Sequence, residues 1–202
     1  MKHPLSTLRA AALLLALAGL PSTRGAVVQA DMAGVVQSAF FGAASFLPVG
    51  TSLAFRATFA TDPALNPDES PSATIGLYAL TSLAVSGVGE AGPASSNDVS
   101  VQNEATDALD FILGFGQLPA AGGFAFNSAF LRLRDPSGSA LTSDALPTSI
   151  MSFTAGSFSL RWGGADGPAV GGLLWPVPEP SPAFLLLGAT GLLLQTGARR
   201  RR

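Results

Sequence analysis

The amino-acid sequence predicts an all-β fold, an antiparallel β-sandwich of about seven strands over residues 31–175. Three observations predict it. Apolar residues come in short runs separated by turn chemistry, which is the signature of strands. The 202-residue chain holds 23 Gly and 15 Pro, which favours many turns over long helices. No stretch of the segment keeps a convincing helical period. Hydrophobic residues make up 48% of the chain, too many for a disordered protein and enough for a core without disulfides.

In chain order, strands are expected over Met32–Phe41, Thr51–Ala60, Ala73–Val85, Asp98–Asn103, Ala108–Gly116, Ala125–Arg134 and Ser152–Arg161. In the second, Leu53, Phe55, Ala57 and Phe59 alternate with Ser52, Ala54, Arg56 and Thr58, so one face is apolar. In the sixth, Ser128 to Arg134 alternate and place Arg132 and Arg134 on a common face. Asp62-Pro63, Asn66-Pro67 and Ser70-Pro71 mark one long loop, and Gly87–Asn97 reads as a second. Asp135-Pro136-Ser137-Gly138 is a strong turn signal. A short helix fits Thr142–Ser149, and Gly163-Gly164 and Gly171-Gly172 read as flexible turns.

The two ends have a different character, and helices are expected to flank the sandwich there. Lys2 and Arg9 precede an apolar run from Ala10 to Leu20, ended by Pro21, which reads as a signal helix within a signal peptide over residues 1–30. Small residues at the −3 and −1 positions mark cleavage: Val28-Gln29-Ala30 fits, with Thr23-Arg24-Gly25 as the poorer alternative. An uncleaved membrane anchor is the competing reading. At the other end, residues 176–202 hold Pro178-Glu179-Pro180, then an apolar segment from Pro182 to Thr196, then Arg199, Arg200, Arg201 and Arg202. An apolar span closed by basic residues is a stop-transfer signal with its charges on the cytoplasmic side, so a transmembrane helix is expected. Taken alone, Pro-Glu-Pro is an ordinary linker, and an arginine run is an ordinary solvated end.

In that order and position, the three features resemble the PEP-CTERM sorting domain, over Val177 to Arg202. The resemblance implies a Gram-negative, exopolysaccharide-producing host. It also implies an exosortase that recognises Pro178, Glu179 and Pro180, removes the helix and passes the protein to the cell surface or matrix. Those three residues would then be a recognition site on a substrate, not a catalytic site. Retention as a tail-anchored envelope protein is the alternative. A weaker resemblance runs from Gly50 to Phe59, followed by Asp62-Pro63. It looks like the early region of many PEP-CTERM surface proteins and implies a β fold without an activity.

Composition excludes most catalytic chemistry from the middle of the chain. Between Asp31 and Trp175 twelve acidic residues face four arginines (Arg56, Arg132, Arg134, Arg161), a balance that repels nucleic acid. There is no Cys, and the only His and Lys are His3 and Lys2. Triad hydrolysis, Schiff-base chemistry and His- or Cys-ligated zinc therefore have no residues to use. A carboxylate pair could still act on glycosides, with candidates Asp98, Glu104, Asp107 and Asp110. Only Tyr78, Trp162 and Trp175 are available among Tyr and Trp to stack on a sugar. Asn97, Asp98, Asn103 and Glu104 could approach calcium, though they match neither the EF-hand pattern nor an Asp-rich repeat. The bland reading of all these acids is a solvated face beside a strand.

The sequence therefore leads to an expectation of a non-enzymatic exported protein with no cofactor and no metal. It would be sorted to the cell surface or extracellular matrix, with adhesion or matrix structure as its role. The expected partners are the secretory translocon, exosortase, the membrane through the C-terminal helix before processing, and exopolysaccharide. The alternative is an extracellular carbohydrate-binding or glycoside-acting module.

Overall fold

The structure, a computed structural model, describes residues 27–70 and 72–178. The expected signal helix, the apolar segment Pro182–Thr196, Glu179, Pro180 and Arg199 to Arg202 lie outside the described residues. The all-β antiparallel class is as expected. Ten strands replace the expected seven: β1 (Val27–Phe40), β2 (Ser52–Ala60), β3 (Ile75–Ala79), β4 (Ser82–Val85) and β5 (Gly89–Ala91), then β6 (Asp98–Gln102), β7 (Asp107–Leu113), β8 (Phe126–Asp135), β9 (Ala155–Trp162) and β10 (Ala169–Pro176).

All ten belong to one hydrogen-bonded sheet in the order β3-β6-β7-β8-β9-β10-β1-β2-β4-β5, and every pairing is antiparallel. That order forces curvature. In a flat sheet β3 and β4 would lie eight strand spacings apart, about 38 Å. Only Leu80 and Thr81 separate them in the chain, which limits the gap to about 10 Å. The sheet is therefore curled until its two edges approach each other. Leu80 donates its amide to the Asn97 carbonyl beside β6, and Thr81 donates to Thr58 of β2. The expected single strand Ala73–Val85 is broken at this point because its halves serve opposite edges.

Alternation decides what the curl encloses. Val28, Ala30, Met32 and Val36 of β1 point inward, as do Leu53, Phe55, Ala57 and Phe59 of β2. The concave side brings β2 against β7 and β9, where Phe59 meets Phe111 at 6.1 Å and Phe55 meets Phe158 at 5.0 Å between ring centroids. Trp162 of β9 is fully buried between the rings of Phe46 and Phe126, its indole N–H donating to the Pro119 carbonyl. Each aromatic side chain of this size buries about 150–250 Å², so these rings are heavy contributors to the core.

Other sequence expectations are corrected. Gly171-Gly172 is no turn but the centre of β10, paired on both sides with β1 and β9. A Cβ on Gly172 would lie 2.7 Å from the Phe158 ring and one on Gly34 would lie 2.9 Å from it, so two glycines make the bed for that ring. Their absent side chains are what weakened the strand signal. The expected loop Gly87–Asn97 contains β5, and Thr142–Ser149 forms bends instead of a helix. Apart from these corrections, β1 runs from Val27, so its first four residues overlap the segment expected to be signal peptide, and it pairs from there with β2.

Candidate functional site

An open, largely apolar groove of about 610 Å³ lies on the outer face of β1, β2, β4 and β5. The strand period puts Ala33, Ala54 and Ala84 on that face, and their small side chains leave the depression. Register supplies its polar end. Asp31 of β1 lies directly opposite Arg56 of β2, whose Nε donates to Asp31 Oδ1 at 2.7 Å. The hydrogen bond and charge of Asp31 raise the Arg56 guanidinium above its ordinary pKa. Glu90 of β5 lines the groove, and Ser86 is engaged by the Ala54 amide through its hydroxyl. Asp31 is committed to the Arg56 guanidinium and the Ser86 hydroxyl accepts from the Ala54 amide. The arrangement fits binding of a ligand that presents an apolar face and a few hydroxyls.

The segment leading into Pro178 lies next to this groove. The Val177 amide donates to the Asp31 carbonyl at 2.8 Å, extending the β10–β1 ladder by one residue. Pro178 then lines a smaller recess with Gln29, Thr148 and Met151. Trp175, two residues before Val177, pairs with Ala33 and is 40% exposed on the outer face.

The sequence-nominated acids are not brought together. Asp107 points into the interior and accepts the Leu141 amide, while its other oxygen is buried without a hydrogen-bond partner. Asp110, three residues on, occupies the opposite face of β7, bound by the Arg132 guanidinium through two contacts and by Gln102. Arg132 is raised above its ordinary pKa, chiefly by that hydrogen bond. Asp98 shares the outer face, and burial, followed by the charge of Glu69, raises its carboxyl above 3.8. Glu104 is exposed in the turn between β6 and β7. Of the calcium candidates, Asn97 is buried and commits its amide group to Gly92, Gln117 and Gly114. Among the described residues no three acidic or histidine side chains are grouped so as to hold a metal ion.

Two polar residues with structural roles escaped the sequence reading. In the sequence Asn66, followed by Pro67, marks only a loop. Its buried side chain donates to Ala60 and Ala79 and accepts from the Ala79 amide, tying the end of β2 to the end of β3. Asp135 gathers the Ser137 amide and hydroxyl, the Ser139 amide and hydroxyl and the Ala140 amide. Those donors, Ser137 first, hold its carboxyl well below the usual carboxylate range.

No family model, curated protein or solved structure matches this chain.

Proposed function

We propose that this chain is an exported, non-enzymatic surface or matrix protein, delivered by a PEP-CTERM-type tail that exosortase removes. The observation that carries the reading is the succession Pro178-Glu179-Pro180, apolar segment and Arg199 to Arg202. The geometry is compatible with it. Val177 hydrogen-bonds to Asp31, so the last described residues, Val177 and Pro178, lie beside the first half of β1. We further read the curled sheet as a β-sandwich closed along one side, on the strength of the face-to-face packing of β2 on β7 and β9.

A surface preparation from an exosortase-bearing host tests the sorting reading by intact mass. The expected form ends near Pro180 and lacks Arg199 to Arg202. A surface form that keeps the apolar segment and the arginines is a permanent tail anchor, and sorting fails. Glu179→Ala is expected to leave the tail attached.

The second reading is a carbohydrate-binding module. It is favoured by the outer groove, with the Asp31–Arg56 pair at one end, and by exposed Trp175 on the same face. Binding to the host exopolysaccharide, lost in Trp175→Ala with the fold intact, would establish it. A glycoside-acting version requires the acids of Asp98 to Asp110, and alanine replacement there separates the two: loss of a sugar-directed activity in a folded variant overturns the non-enzymatic reading.

A further inference from the structure

The first four residues of β1 bear on where the export signal ends. Val27, Val28, Gln29 and Ala30 pair with Ala60, Phe59, Thr58 and Ala57 of β2. Val28 is 9% and Ala30 1% exposed, so both side chains belong to the core. Cleavage after Ala30 would remove this quarter-length of strand and uncover the end of β2. Phe59, fully buried against Phe111, would lose the strand that covers it on that side. It would also create a new ammonium group on Asp31, whose carboxylate is already paired with the Arg56 guanidinium. A second positive charge would then sit beside Arg56, and the α-amino nitrogen would no longer be a neutral ladder amide.

Five residues upstream these costs vanish. Thr23 and Gly25 satisfy the small-residue requirement at −3 and −1. A chain starting at Ala26 keeps the whole of β1, Val27–Phe40, and leaves Asp31 as an internal residue.

We propose that signal peptidase hydrolyses the Gly25–Ala26 bond and not the Ala30–Asp31 bond. Water adds across the amide, leaving a carboxylate on Gly25 and the new α-amine on Ala26. This rests on the export reading. Sequence fit at −3 and −1 alone favours Val28-Gln29-Ala30, but those residues do double duty only if the domain tolerates their loss.

The test is the amino terminus of the full-length protein recovered after export from a Gram-negative host, read by terminal sequencing and intact mass. Ala26 as the first residue is the expected result. A terminus at Asp31, or at any position other than Ala26, overturns the site while leaving export standing. An exported-fraction protein that retains Met1 overturns the site and the cleavable-signal reading together. Gly25→Leu puts a bulky side chain at −1 on a residue that leaves with the signal, so it tests recognition and not folding of the mature domain. It is expected to abolish the Ala26 terminus, and continued cleavage there would also overturn the site.

Discussion

Leu80 and Thr81 are adjacent in the chain yet donate toward strands far apart in the sheet order, Leu80 to Asn97 beside β6 and Thr81 to Thr58 of β2, each at 2.9 Å. A peptide link between two ladders is what holds the curl. It also explains why Asn66, far from any groove, carries three buried hydrogen bonds: its side chain bridges Ala60 at 3.0 Å and Ala79 at 2.8 and 3.1 Å, next to that crossing.

Asn66→Ala is therefore expected to loosen the closure. It removes three hydrogen bonds and strands both the amide and the carbonyl of Ala79, a loss of about 2–3 kcal/mol. Urea unfolding of the exported domain measures it. Stability unchanged to within experimental error would mean that the Leu80–Thr81 crossing closes the sheet unaided.

Two glycine pairs that look alike in sequence should behave differently. A Cβ on Gly172 meets the Phe158 ring and the Val35 carbonyl, whereas one on Gly164 meets nothing within 4 Å. Gly172→Ala should cost about 1–3 kcal/mol or more through overpacking, and Gly164→Ala less than about 0.5 kcal/mol. Thermal unfolding of the two variants side by side checks the contrast.

On the outer face, Asp110 is buried at 2% side-chain exposure and Arg132 is 24% exposed, with the Arg132 Nε donating at 2.6 Å. Asp110→Ala leaves a partly buried guanidinium without its partner and should cost about 2–3 kcal/mol. The double variant Asp110→Ala with Arg132→Met should be less destabilised than Asp110→Ala alone, because no charge is then left unpaired. A double-mutant cycle by chemical denaturation decides it.

Two carboxylates should pull the pH dependence in opposite directions. Asp135, held low by Ser137 and Ser139, contributes stability that is present above its unfolded value of 3.8 and is lost as pH falls below it. Asp98, raised by burial and by Glu69, is less favourable as an anion in the folded state than in the unfolded one. Its burden is therefore present at neutral pH and is relieved as pH falls through its folded value. Melting temperature against pH should show Asp135→Asn flattening the acid limb and Asp98→Asn raising the melting temperature at pH 7. A lower neutral melting temperature for Asp98→Asn would contradict the sign.

Much of the fold was legible in local pattern. Alternation in Leu53, Phe55, Ala57 and Phe59 correctly assigned the inner face of β2, and the same period placed Arg132 beside Arg134 opposite Leu131 and Leu133. What failed was each place where long-range pairing overrides local chemistry. Gly171-Gly172 carries no side chains to announce a strand, and β10 exists because β1 and β9 supply partners on both sides. The run Ala73–Val85 looks continuous because β3 and β4 share one composition, although they belong to different edges.

The sequence by itself determined the all-β antiparallel class, the residue types left for chemistry and the ordered features of the two ends, since composition and short-range period are local properties. Only the tertiary structure decided which polar residues become neighbours. Asp31 and Arg56 meet through the β1–β2 register, Asp107 and Asp110 are parted onto opposite faces by the strand period, and Asn66 reaches both Ala60 and Ala79 because the sheet curls. Register and curvature are set by the packing of the whole core around Phe55, Phe59, Phe111 and Phe158, and no single segment encodes them.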